Sequence, residues 1–211
     1  MSIVSIKLRL MREQIRTIRR YYRRPRFALI DLCFGLVALF SNPYRTCRKF
    51  LQRKKAADIY AYGETPLATL EKIARVCEIG PQDRFLELGS GRGKGCFWMA
   101  EFIGCQTHGI EWVPQFVAVA KGLKALFRVS KLSFSREDME GADLSSYTVV
   151  YLYGTCLDDA AVDRLKQKLA ELPVGAKVIT ISYPLPSLEL KKSFTVRFPW
   201  GVALAYYHLK K

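Results

Sequence analysis

From Leu67 onward, short apolar runs alternate with stretches of helical periodicity, and this alternation leaves few folds open. "RFLELG" (84–89), "THGIEW" (107–112), "LSFS" (132–135), "TVVYLY" (148–153) and "KVITIS" (177–182) have strand length and bounded, apolar character. Leu67 to Cys77, Gly93 to Ile103, Val113 to Phe127 and Asp158 to Leu172 carry apolar residues at helical spacing. Strands separated by 10–15-residue helices run parallel, because each helix returns the chain to the same end of the sheet. "SFTVRF" (193–198) and "VALAYYHLK" (202–210), joined by "PWG", read instead as an antiparallel hairpin. The expectation is an α/β fold: a doubly wound, mostly parallel seven-stranded sheet.

The first strand runs into "GSGRGKG", with Gly89, Gly91, Gly93 and Gly95 at alternate positions and Glu87 just ahead. Glycine at this density lets a backbone approach a ligand closely. The phosphate loop GxxxxGK[ST] does not fit, since Gly95 follows Lys94 where Ser or Thr is needed. The dinucleotide fingerprint GxGxxG does not fit either, since Lys94 and Cys96 stand where its third glycine belongs. A carboxylate beside the loop argues for a cationic ligand. S-adenosylmethionine carries an ammonium, which Glu87 can accept from, and a sulfonium. Glu111 follows 24 positions on, at the end of the next strand. An acid at that offset reaches a ribose diol in doubly wound sheets. Asp138 follows the third strand, where it would take the adenine amino group while Met139 stacks on the ring. All three acids fall at strand C-terminal ends, which line one crevice.

Charge divides the chain. Residues 1–58 hold 15 Lys and Arg against Glu13, Asp31 and Asp58, whereas the rest holds 19 basic and 16 acidic side chains. On a helix over 3–24, ended before Pro25, Val4, Leu8, Met11, Ile15, Ile18 and Tyr22 fall within an arc of about 80°. Arg9, Arg12, Arg16, Arg19, Arg20 and Arg23 lie opposite. "FALIDLCFGLVALF" (27–40) follows, interrupted by Asp31 and short of the ~20 residues that span a bilayer. Arg45, Arg48, Lys49, Arg53, Lys54 and Lys55 come next. Residues 1–57 thus read as a basic helical extension before a domain over 58–211. Three readings stand: a peripheral anchor using residues 3–55 on an anionic membrane, helices docked on the domain with solvated arginines, and an organelle-targeting peptide. The anchor reading places the chain peripherally, on the cytoplasmic or organelle-matrix side of a membrane.

The six cysteines show no CxxC pair and the only histidines are His108 and His208, so no metal site is expected. Reduced, mostly buried thiols are expected instead.

On Glu87, the glycine loop, Glu111 and Asp138, residues 58–211 resemble the class I S-adenosylmethionine-dependent methyltransferases, a Rossmann-like fold. "AYGETP" (61–66) ahead of "ELGSGRG" resembles the non-SET, disruptor-of-telomeric-silencing-like histone lysine methyltransferases. That resemblance implies that Tyr62, Glu64 and Thr65 cover the methionine end of the cofactor. Glu87, Gly89, Ser90, Gly91, Gly93, Glu111, Trp112, Asp138 and Met139 would hold the rest. The second half departs from that family: its Asn-Asn-Phe segment is missing after the fourth strand, and Lys94 stands where it has Gln. "YLYGTCLDDAAVDRLKQKL" and the "SYPLP" turn (182–186) instead resemble the ATP synthase c-subunit lysine methyltransferases. Members of that family carry a membrane-associating N-terminal segment. "YGETP" also fits a plain helix entry, with Thr65 as N-cap and Pro66 in the first turn.

The resemblance implies N-methylation of a lysine on a protein substrate at or near a membrane. Tyr153 and Tyr183, at strand ends facing the cofactor, are the candidate catalytic residues. They would wall an aromatic channel that desolvates the lysine ammonium and favours its neutral form. Each also fits a core aromatic. Two rivals remain: a methyltransferase of a lipid or other small molecule, and a non-catalytic protein of this fold binding nucleic acid through its basic arm.

Overall fold

The computed structural model describes residues 3–56, 58–60, 62–153 and 159–211, with backbone alone at 3–7, 159–162 and 166. Ala61 of "AYGETP" and 154–157 of the "YLYGTCL" stretch lie outside the described residues.

Three helices lead: α1 (Ile3–Tyr21), α2 (Pro25–Phe40) and α3 (Pro43–Arg53). Pro25 and Pro43 sit in the first turns of α2 and α3, where a missing N–H costs nothing. α4 (Leu67–Val76) then introduces the sheet, with strands β1 (Arg84–Leu88), β2 (Gln106–Glu111), β3 (Leu132–Arg136), β4 (Val149–Leu152), β5 (Lys177–Ile181), β6 (Glu189–Phe198) and β7 (Gly201–Leu209). The intervening helices are α5 (Lys94–Trp98), α6 (Pro114–Leu126) and α7 (Asp159–Leu169). α5 runs on as a π-helical turn over Met99–Ile103.

The strand order is β3-β2-β1-β4-β5-β7-β6. The first five strands pair in parallel and β7 pairs antiparallel with both β5 and β6, so the expected mostly parallel seven-stranded sheet is present. β6 begins at Glu189, four residues before the expected start. Its first half is exposed at the sheet edge and carries little of the alternation by which a half-buried strand is read.

Alternation across the strands builds two cores. Phe85, Tyr151, Ile179 and Ile181 point to one face, under α4, α5 and α6. Leu86, Leu88, Val150, Leu152 and Val178 point to the other, under α7 and residues 142–144. Glu87 shares the face of Phe85, so its carboxylate lies against α5 within the first core.

The extension is not separate from that core. Tyr21, Phe27, Ile30 and Phe34 are buried in it beside Phe97 and Trp98. Cys47 and Leu51 of α3 form a third cluster with Val113, the residue that caps α6, and Phe116 of α6. The inner face of α2 therefore docks on the domain. Its outer face does not: Leu29, Leu32 and Leu36 are exposed, Leu39 is 80% exposed and Phe40 91%. Leu8, Met11, Ile15 and Ile18 of α1 are exposed as well, whereas α1 meets the domain through Tyr21, against Trp98 and Phe102, and through Arg20 on Glu71. No single helix among the described residues is long and apolar enough to cross a membrane.

Candidate active site

β1 ends in the glycine loop. Gly89, Gly91 and Gly93 all hold positive φ, at 73°, 56° and 86°. Gly93 also admits no side chain: a Cβ there would lie 2.6 Å from the Phe134 ring. A Cβ at Gly89 would meet no protein atom within 4 Å, so this turn opens outward from the packed core.

Glu87 is 7% exposed, and its Oε2 accepts from the Cys96 thiol at 3.0 Å. Burial pushes its pKa up to about 7, against the thiol bond that pulls it down. Glu111 at the end of β2 accepts the Gly91 N–H at 2.8 Å and the Val113 N–H at 2.8 Å. It thus ties the loop to the start of α6. Burial raises its pKa too, opposed by these backbone donors. The Ser90 hydroxyl is buried without a hydrogen-bond partner among the described residues and points at Gly109 of β2. Trp112 is partly exposed, with Phe50 edge-on at 5.2 Å and the Lys54 ammonium 5.3 Å over its ring. Asp138 is exposed and accepts the Glu140 N–H at 3.1 Å, capping a single 3-10 turn over Met139–Gly141. Met139 packs on the second core.

The 62–66 segment lies over the loop. A ring carbon of Tyr62 comes within 3.4 Å of where a Cβ on Gly91 would stand. The Tyr62 hydroxyl donates to Glu64 at 2.6 Å, and the Tyr62 ring meets Tyr44 and Phe116 at about 5 Å. Thr65 does not cap α4. The helix starts at Leu67 with Pro66 at its N-cap, and the Thr65 hydroxyl pairs with the Tyr151 hydroxyl at 2.7 Å. The helix-entry reading of "YGETP" is corrected to that extent: a cap needs a free hydroxyl, and this one is engaged with β4.

Tyr153 and Tyr183 are not brought together. Tyr153 stacks on Phe198 at 5.0 Å, accepts the Trp200 indole N–H at 2.8 Å, and lies 2.9 Å from where a Cβ on Gly63 would be. It therefore sits where the covering segment meets the β6–β7 turn. Ser182 takes φ +75°, which breaks the alternation of β5. Tyr183 packs on the second core instead, its hydroxyl without a partner among the described residues. Trp200 and Phe198 escaped the sequence reading, although "PWG" placed an aromatic at a turn beside the sheet's C-terminal edge.

The family described as the ANTKMT methyltransferase domain matches residues 87–192, half of the chain. The chain belongs to this family. It is also 24% identical over 158 residues, 67% of its length, to a histone-lysine N-methyltransferase specific for H3 lysine 79 from Dictyostelium discoideum. The chain spans only 8% of that relative. Among solved structures, an RNA methyltransferase from Salinibacter ruber in complex with S-adenosyl-L-homocysteine matches with a TM-score of 0.60 and 24% identity, over 70% of this chain and 93% of the other. A geranyl diphosphate C-methyltransferase from Streptomyces coelicolor A3(2) matches at 0.59 and 13%, over 69% and 79%. These likenesses show the class I methyltransferase fold.

S-adenosylmethionine is the cofactor of this family, and the site fits it. Glu87 is buried and Glu111 half-buried, both beside the glycine loop, where Gly89 faces no protein atom within 4 Å. Arg92 and Lys94, the cations of the loop, are both paired elsewhere. A cradle that presents carboxylates and withholds its cations suits a cationic ligand and not a pyrophosphate. Glu87 would hold the ammonium, Glu111 the ribose, and Asp138 with Met139 the adenine.

Proposed function

We propose that this methyltransferase N-methylates lysine side chains of protein substrates while docked on an anionic membrane surface. The observation that carries the acceptor reading is the aromatic wall of Tyr153, Phe198 and Trp200 beside Gly63 of the covering segment. Bound S-adenosylmethionine supplies an electrophilic methyl group on a sulfonium. The chain's task is to hold an amine nitrogen in line with it. A lysine ammonium has no lone pair, so it must first shed a proton. The stacked rings disfavour the charged form by desolvation, while the Tyr153 hydroxyl offers an acceptor to orient the remaining N–H. Family membership and the histone-lysine relative support a lysine acceptor.

The membrane reading rests on exposed apolar residues beside a strongly basic arm. Leu29, Leu32, Leu36, Leu39 and Phe40 stand outside α2, and Leu8, Met11, Ile15 and Ile18 outside α1. Arg12, Arg19 and Arg23 are exposed and pair with no acid among the described residues. Apolar area flanked by unpaired arginines matches a peripheral contact with anionic lipid. On this reading the chain works from the cytoplasmic or organelle-matrix side of the membrane.

Membrane fractions incubated with the enzyme and methyl-labelled cofactor test the acceptor reading, with peptide mass spectrometry of the products. Label on lysine is expected. Label recovered in the lipid extract or in nucleic acid overturns the protein-lysine assignment.

A further inference from the structure

Arg92 and Lys94 flank Gly93 in the cofactor loop, yet both reach away from the loop toward the N-terminal helices. The Arg92 guanidinium donates to Glu64 Oε1 through Nε at 2.8 Å and Nη2 at 2.7 Å. Its Nη1 donates to the Phe34 carbonyl of α2 at 3.0 Å, and the group lies 5.4 Å over the Phe34 ring. Glu64 Oε1 also holds the Tyr62 hydroxyl. One buried guanidinium therefore joins three pieces: the loop that carries it, the segment covering that loop, and α2. Lys94 Nζ lies 2.5 Å from Asp31 Oδ1. The other oxygen of Asp31 accepts from Tyr22 at 2.9 Å and Gln14 at 3.2 Å, which ties the same loop to α1.

We propose that Arg92 and Lys94 are positioning residues that fix the cofactor loop and its covering segment to α1 and α2, so that the N-terminal helices form part of the methyltransferase site. The proposal rests on the cofactor assignment and is independent of both the lysine and the membrane readings. Its physical basis is the direction of the side chains. A buried charge must be paired, so the loop can keep its arginine and lysine only where α2 and Glu64 receive them. The three positive-φ glycines give this loop many unfolded conformations to lose, and two pins on opposite sides of Gly93 select one of them. Arginine suits the junction because its planar fork serves Glu64 and the Phe34 carbonyl together, which a lysine ammonium at the same place cannot match.

The chain with its N-terminal helices tests this with four variants. Arg92→Lys keeps the charge and loses the fork. Lys94→Met/Asp31→Leu removes both charges and keeps the volume, a replacement that usually preserves stability. Arg20→Met breaks an arm contact to Glu71 of α4 and none to the loop or its covering segment. Arg92→Met marks full loss. Affinity for S-adenosylhomocysteine is measured by calorimetry, hydrogen exchange of residues 62–66 with and without ligand, and Tm in parallel. The expected result is binding weakened about tenfold or more in Arg92→Lys and in Lys94→Met/Asp31→Leu, with loss of ligand-induced slowing at 62–66 in Arg92→Lys. Arg20→Met should lower Tm and bind normally. The idea is overturned if the folded Arg92→Lys chain binds like wild type. Normal binding by folded Lys94→Met/Asp31→Leu overturns it equally, and decides the matter should neither Arg92 variant fold. Weakening by Arg20→Met as large as by Arg92→Lys also overturns it, since any loosened arm contact would then suffice.

Discussion

At Glu87 a carboxylate is held out of water before any ligand arrives. Burial raises its pKa from the ordinary 4.5 to about 7, so between those values the folded chain holds a proton that the unfolded chain has released. Stability without cofactor should therefore fall as pH rises from about 4.5 through about 7, by up to ~3 kcal/mol. Glu87→Gln should flatten that slope, which thermal melts across the interval will show. A cationic ammonium needs the ionised form, so cofactor affinity should rise as pH passes about 7. It should decline again once the ligand's own α-amino group deprotonates, ordinarily near 7.7–8.0. Calorimetry in buffers of different ionisation enthalpy checks the proton released on binding. Glu111 differs, since it already serves two backbone donors. Glu111→Ala should lower stability as well as affinity, each lost bond to a charged acceptor being worth about 1.5–3 kcal/mol, whereas Glu111→Gln keeps one acceptor oxygen and should fall between. Both acids were legible in the sequence because strand ends and the offset between them are local patterns. Arg92 and Lys94 were not, because their partners at Phe34 and Asp31 lie about sixty residues away. The available clue was Asp31 itself: an acid inside an apolar helix, once buried, calls for a cation or hydrogen-bond donors beside it.

Among the elements, the β6–β7 turn joins the site through Trp200. Its indole N–H reaches Tyr153, and its ring stacks on Phe198 at 5.1 Å. If this wall receives the acceptor, Trp200→Ala should raise KM for the protein substrate several-fold and leave the Kd of S-adenosylhomocysteine unchanged. Steady-state kinetics alongside calorimetry separates the two, and a weakened Kd would place Trp200 on the cofactor side instead. The loop's own geometry predicts a harsher outcome at Gly93. Both its φ and the Phe134 ring oppose any Cβ, so Gly93→Ala should cost more than about 3 kcal/mol or prevent folding, read from Tm and soluble yield. Regular elements were legible wherever periodicity was strong, as in α4, α6 and the parallel strands. Tyr183 shows where it was not. A strand's alternation would have set it beside Tyr153's face, and a left-handed serine reversed it. Positive φ at a non-glycine residue leaves no mark in the sequence.

Over the whole molecule, the division into a basic extension and a neutral domain describes charge and not packing. α2 buries one face in the domain core and presents the other as leucine and phenylalanine. Its apolar character on both faces was visible in the sequence, and the structure buries one of those faces and leaves the other exposed. The docked reading therefore holds for one face of the helix, and the proposed membrane contact concerns the other. Leu29, Leu32 and Leu36, like Leu8, Met11, Ile15 and Ile18, lie outside the buried clusters. Replacing either set with Ser should leave Tm and cofactor affinity close to wild type, since exposed substitutions usually fall within about 0.5 kcal/mol each. Vesicle sedimentation should respond differently. The intact chain should bind anionic vesicles far better than neutral ones, each basic residue near the surface contributing about 1 kcal/mol. Salt should weaken that binding as the Debye length shortens to ~3 Å at 1 M, leaving a residue due to apolar contact. The Ser sets should remove this salt-resistant part and spare the electrostatic one. Loss of cofactor binding in either Ser variant would mean that these side chains pack on the domain after all. Equal binding to neutral and anionic vesicles would discard the role of the arginines. Binding to duplex nucleic acid with a steep salt slope, and to neither vesicle, would transfer the basic arm to a polyanion in solution.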